Sequence, residues 1–184
     1  MMNLTTLFRR MTLGLVLAVA PVLGGCGDNT LIWTEEVKLL DGRVITVTQK
    51  RRIDANQIPR EFWLTFRLPE FGDMEIIWHE NLAPRVLNFY QGKLYMVGIP
   101  FTEREFRQYG KPMPFYIGHR YESGQWQRIP FNEIPEAIYD TNLLIANASP
   151  NGAKLVTFAM KAEELKDETI GQVSKRIDPH STIH

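Results

Sequence analysis

From residue 31 onward the chain alternates between apolar and polar positions with a period of two. Trp33, Glu35, Val37 and Leu39 share one phase, Asp41-Gly42 interrupts, and Ile45 and Val47 resume the alternation. Such a pattern puts every second side chain on one face of a pleated strand. Asp-Gly between two such runs marks a tight hairpin. The pattern predicts strands over 31–40 and 43–52, then a polar, proline-containing loop over 53–60. Phe62, Leu64, Phe66 and Leu68 predict a third strand, and residues 74–79 a fourth. Two further hairpins are expected, one joining 85–90 to 94–99 about Gln91-Gly92, the other joining 115–121 to 126–129 about Glu122-Ser123-Gly124.

The last two hairpins repeat one pattern about 31 residues apart: tyrosine, turn glycine, strand, then Ile99-Pro100-Phe101 in one and Ile129-Pro130-Phe131 in the other. Two copies fall short of the three units that a solenoid or propeller needs. They read as two hairpins obeying the same turn chemistry.

Thr102 and Glu105 have capping-box spacing, Phe101 and Phe106 have staple spacing, and Gly110 with Pro112 supplies a stop, so a two-turn helix is expected there. A second short helix is expected from Asn132 or Ile134 through Pro135 to about Leu143, a turn at 149–152, a short strand at 156–158, and a helix over 160–166. From Asp167 the chain is polar without periodicity, and a flexible tail over 167–184 is expected. The strands follow one another too closely for helical crossovers, which excludes a parallel sheet. The expected fold is mainly β: an antiparallel sheet forming a sandwich or partly open barrel, with two or three short helices, in one globular domain over 31–166.

The segment ahead of the strands has a different texture. Residues 1–10 carry Arg9 and Arg10 and no acid, and the fifteen residues 11–25 carry no charge. Fifteen is short of the roughly 20 that a helix needs to span a bilayer, and Pro21 weakens a continuous helix. A basic start, a short apolar run and small residues describe a secretory signal peptide over 1–25. Its end, Leu23-Gly24-Gly25-Cys26, resembles the lipobox of bacterial lipoproteins. The resemblance implies diacylglyceryl transfer to the Cys26 thiol, cleavage between Gly25 and Cys26, and acylation of the new amino terminus. Residues 26–30 would then be a lipidated terminus and short tether. Gly27 rather than an acid after the cysteine implies the periplasmic face of the outer membrane, with the inner membrane as the alternative. The stretches WTEEVKLLDGRVITV and YESGQWQRIPFNEIPEAIYD are similar to small proteobacterial lipoproteins, a likeness that carries over no catalytic residue.

Charge narrows the partners. The 184 residues carry 21 basic and 21 acidic side chains; loss of the first 25 leaves 159 residues with a net charge of −2. Such a balance offers a polyanion little, so no nucleic-acid partner is expected. Cys26 is the one cysteine, so the fold must stand without disulfides.

The search for chemistry yields candidates rather than a motif. His79-Glu80 begins a metallopeptidase pattern, but Ala83 stands where the second histidine belongs. His79 and His119 are expected in strands, as ordinary, partly exposed histidines. Ser123 and Ser149 lie outside any nucleophile elbow. Any two of Glu35, Glu36, Glu70, Asp73, Glu75 and Glu80 could face each other as a glycosidase pair, with Glu80 and Asp73 the named candidates. Lys50-Arg51-Arg52 reads as a solvated strand edge that discourages pairing. Trp33, Trp63, Trp78 and Trp126 are expected mostly in the core, with a minority on one face for a partner or glycan. No metal and no cofactor is expected. The expected function is that of a lipid-anchored, non-catalytic binding or structural module of the cell envelope, its partner an envelope protein or glycan. The alternatives are a hydrolase using paired carboxylates and a carrier of an apolar ligand, which needs a cavity of a few hundred cubic ångströms.

Overall fold

The computed structural model describes residues 29–72, 74–143, 154–164 and 175–181. The chain is mainly β, in two sheets that do not close into a barrel. In chain order the elements are β1 (Asn29–Lys38), β2 (Val44–Ile53), β3 (Pro59–Arg67), β4 (Glu75–Glu80), β5 (Leu82–Tyr90), β6 (Lys93–Pro100), α1 (Glu103–Gln108), β7 (Ile117–Glu122), β8 (Gln125–Ile129), β9 (Leu155–Val156) and α2 (Phe158–Glu164). The larger sheet has the order β4-β3-β2-β1-β9 and the smaller β5-β6-β7-β8. All pairings are antiparallel except that of β9 with β1.

Turn chemistry sets the hairpins. Gln91 and Gly92 both adopt positive φ (49° and 77°), as do Ser123 and Gly124 (52° and 82°). Positive φ at both central residues is the two-residue turn whose twist matches that of the strands. The paired Tyr…Ile-Pro-Phe segments are therefore consecutive hairpins of one sheet. The β1–β2 connection instead loops through Leu40, Asp41 and Gly42, with Gly42 at φ 88° and Leu39 bonded back to Arg43.

Two cores result. Val37, Val47, Leu64, Phe66 and Trp78 from the larger sheet meet Leu87, Leu94, Met96 and Ile117 from the smaller. On the far side of the smaller sheet, Val86, Tyr95 and Val97 pack under Ile134, Ile138, Tyr139 and Ile177. The smaller sheet is thus the middle of three layers. Gly118 permits the cover: a Cβ there would lie 2.7 Å from Ile134 and 3.0 Å from Ile129.

Several expectations are corrected. In place of a helix from Asn132 or Ile134 to Leu143 there are two 3₁₀ turns, Phe131–Glu133 and Glu136–Ile138, preceded by Pro130 and Pro135. Each proline disfavours helical backbone in the residue before it and lacks the N–H that a continuing helix would use. Of the tail expected to be flexible over 167–184, residues 175–181 are described; there Arg176 bridges to Asp140 and Ile177 is 1% exposed. Helix α1 forms where expected, but the Thr102 hydroxyl donates to the Glu105 carboxylate and accepts no capping bond from a backbone N–H. Phe101 packs on Phe62 and Phe106 on Phe115. The turn at 149–152 lies outside the described residues.

Gly118→Ala is expected to destabilise the domain by about 1–3 kcal/mol through overpacking. Truncating the covering residue in Gly118→Ala/Ile134→Ala should cost less than the two single changes together. Urea unfolding of all three variants is the measurement; strict additivity would show that the cover does not rest on Gly118.

Candidate functional site

Successive residues of a strand face opposite ways, and at the end of β4 this separates His79 from Glu80. His79 points outward, stacks on Trp63 at 4.3 Å, and sets Nε2 3.2 Å from Glu61. Glu80 points inward, with Oε1 3.3 Å from Nε2 of His119 and Oε2 accepting the Tyr109 hydroxyl at 2.7 Å. His119, on β7, is 3% exposed and lies edge-on to Trp78, so it is not the partly exposed histidine expected. Tyr109 caps the end of α1; its hydroxyl also accepts the Asn81 N–H, and Arg128 donates to its carbonyl. The two strand histidines therefore serve different faces. Among the described residues no three His, Cys, Asp or Glu groups converge to hold a metal.

The electrostatics of this relay favour holding over catalysis. Burial alone would raise the Glu80 carboxyl, but hydrogen bonds from His119 and Tyr109 outweigh it and hold the group below the usual range. Burial and the Glu80 carboxylate both raise the Tyr109 hydroxyl, which stays a donor. A general acid needs the opposite shift. Asp73 lies outside the described residues. The other acids have partners of their own: Glu36 accepts the Phe158 N–H, Glu75 lies by Arg67, and Asp41 and Glu70 share Arg43, which lowers both.

A second cluster lies on the inner side of β1 and β2. Glu35 is fully buried, accepting from Gln49 at 2.6 Å and lying 3.6 Å from Lys161 of α2. Arg51 is 4% exposed, its guanidinium 5.2 Å from the ring centres of both Trp33 and Phe62. The expectation of a solvated edge at Lys50-Arg51-Arg52 is overturned. Strand β2 is interior to the sheet, and Arg51 takes the inward phase of Val47 and Gln49. Burial, then the like charge of Arg85, lowers Arg51 to about 10, partly offset by Glu35.

Two surface features complete the inventory. On the outer face of the larger sheet Ile32, Lys50, Trp63 and His79 form one cross-strand row, and Thr34, Thr48, Thr65 and Ile77 the next. Ile32 is 64% and Ile77 51% exposed. Beside β8 a cavity of about 440 Å³ is lined by Pro112, Met113, Tyr116, Arg128 and Phe131.

No family model, curated protein or solved structure matches the chain. Gly25 and Cys26 lie outside the described residues, as does Ser149, while Ser123 sits in its turn. Trp33 and Trp78 are core residues; Trp63 and Trp126 are partly exposed. Sequence reasoning missed Tyr109, Arg85 and Lys161. The phase shared by Ile45, Val47 and Arg51 was the available signal that Arg51 turns inward.

Because its folded pKa is depressed, Glu80 contributes stability above the unfolded carboxyl value, near 4.3, and loses it as pH falls through the folded value. Urea midpoints between pH 3 and 7 should therefore fall less steeply on acidification in Glu80→Gln than in the wild type. Tyr109→Phe should cost about 1–3 kcal/mol at pH 7. Equal acid slopes in Glu80→Gln and the wild type would remove the relay from the stability account.

Proposed function

We propose that this chain is a lipid-anchored envelope protein that acts without catalysis, docking a second envelope protein on the outer face of its larger sheet. The observation that carries the reading is an asymmetry. The chain covers the outer face of its smaller sheet with residues 131–143 and 175–181, yet leaves Ile32, Val44 and Ile77 exposed on the larger. Apolar side chains left exposed on an open sheet face suit an interaction surface. The charges among them are of both signs, Glu36 and Glu75 with Lys38, Lys50 and Arg67, which suits a protein better than a polyanion.

The lipobox resemblance supplies the anchor. Two residues separate Cys26 from Asn29, the first of β1, a reach of about 10 Å at most over three chain steps. A domain tethered so closely to the outer membrane meets partners at the membrane surface. A second reading, carriage of an apolar ligand, draws on the 440 Å³ cavity beside β8, whose size falls in the range of ligand sites.

A photo-crosslinking residue at Thr48, in the centre of the face, tests the docking. The expected result is an adduct with one other envelope protein that is lost in Ile32→Lys/Ile77→Lys and reduced in Cys26→Ala. An adduct with a second copy of this chain, or one unchanged in the double variant, would overturn the proposal.

A further inference from the structure

The cavity of about 440 Å³ lies at the end of the β7–β8 hairpin away from its turn, between the segment that enters β7 and the one that leaves β8. Nine residues line it, and Arg128 is the one cation or carboxylate among them. Pro112, Pro114 and Pro130 bring no backbone N–H, and Tyr116 gives its own to the Pro114 carbonyl at 2.7 Å. The Tyr116 hydroxyl is engaged by the Asp178 N–H at 3.3 Å, and its ring lies 6.2 Å from that of Phe131, the second aromatic of the wall. The lining is thus largely apolar, with its charge concentrated at one residue.

That residue is open to a ligand. One terminal nitrogen of Arg128 donates to the Tyr109 carbonyl at 3.1 Å, and the guanidinium sits 5.7 Å from the centre of the Tyr109 ring. Neither contact neutralises the charge. Among the described residues no carboxylate lies within ion-pair distance of Arg128, whereas Arg120 on the same hairpin bridges to both Glu122 and Glu133. Glu80, which accepts the Tyr109 hydroxyl, is engaged by His119 instead. A guanidinium presents its N–H donors as a planar fork that fits a carboxylate with paired bonds. One cation suits a singly charged head; a phosphate near −2 would need a second, and the lining holds none.

Building on the second reading above, carriage of an apolar ligand, we propose that this cavity binds a fatty acid, its chain against Met113, Tyr116 and Phe131 and its carboxylate on Arg128. Ligand sites combine a mostly apolar lining with a few polar groups that fix orientation. Here the proline and aromatic wall takes the chain, and the guanidinium sets which end faces solvent. The site is separate from the docking face, because it belongs to the smaller sheet.

Nuclear magnetic resonance of the full chain in maltoside micelles at neutral pH, isotopically labelled at its methionine methyls, tests this. Met113 is 60% exposed and lines the cavity, so its methyl reports on the site; Met74, 65% exposed beside β4, is the control for binding elsewhere. The probes are octanoate, octanol and acetate. Octanoate should shift the Met113 methyl saturably and leave that of Met74 unmoved. Octanol, which has the chain without the charge, should bind about tenfold more weakly, and acetate, which has the charge without the chain, should not bind over the same range. Arg128→Gln should bring octanoate down about tenfold, to the level of octanol, with octanol itself unchanged, a split that loss of structure does not produce. The wild-type contrast between octanoate and octanol decides the matter if that variant fails to fold. Equal wild-type affinities for the two would overturn the fatty-acid assignment while leaving carriage of a neutral apolar ligand standing. No saturable Met113 shift with either would overturn both. Wild-type octanoate affinity in Arg128→Gln, or equal shifts at Met113 and Met74, would overturn the assignment as well.

Discussion

Strand β6 is apolar on both of its faces, and burying both is the constraint on which the rest of the architecture depends. Leu94 and Met96 face the larger sheet, while Tyr95 and Val97 face the opposite way. Each such side chain gains about 1.5–3 kcal/mol from full burial, so neither face can be left to water. The larger sheet covers the first face. Only the remainder of the chain is available for the second, which is why residues 131–143 and 175–181 return across it. Ile177 reaches its place through the short pairing of 175–177 with 139–141.

The same constraint explains the corner at β4 and β5. A single residue, Asn81, separates the last residue of the larger sheet's edge strand from the first of the smaller sheet's. Nothing in so short a connection holds two sheets in register. The Glu80 carboxylate does so from inside, reaching His119 on β7 and Tyr109 on the α1 cap at once. Trp126 ties the other edge strand across, donating to the Ile77 carbonyl. The acid that looks catalytic along the chain thus acts between layers, while its sequence neighbour His79 faces outward.

Strand positions were legible because period-two alternation is a local signal, and the hairpin turns because their glycines are. The covering layer was not, since its residues pack by contacts formed across the chain. Pro135 stood in plain sight inside the expected helix, and Ile177 is one apolar residue in a polar tail. Arg51 failed for a different reason. Charge type was weighed above phase, although Val47, Gln49, Arg51 and Ile53 all turn inward. The Glu80–His119 contact joins residues 39 apart on different sheets, a pairing that spacing alone does not reveal.

Local and global preferences agree over most of this molecule and conflict in two places. On the inner side of β1 and β2, Glu35 and Arg51 are buried; on the outer side, Ile32 is exposed. Folding alone would reverse both, because an aliphatic residue at 51 and a polar one at 32 would suit their surroundings better. Arg51 and Ile32 lie in neighbouring strands, one register position apart, with Leu31 opposite the first and Lys50 opposite the second. Conflicts of this kind, where a stable alternative is one substitution away, concentrate at functional positions. That both occur on the same pair of strands, back to back, concentrates these conflicts in the β1–β2 hairpin.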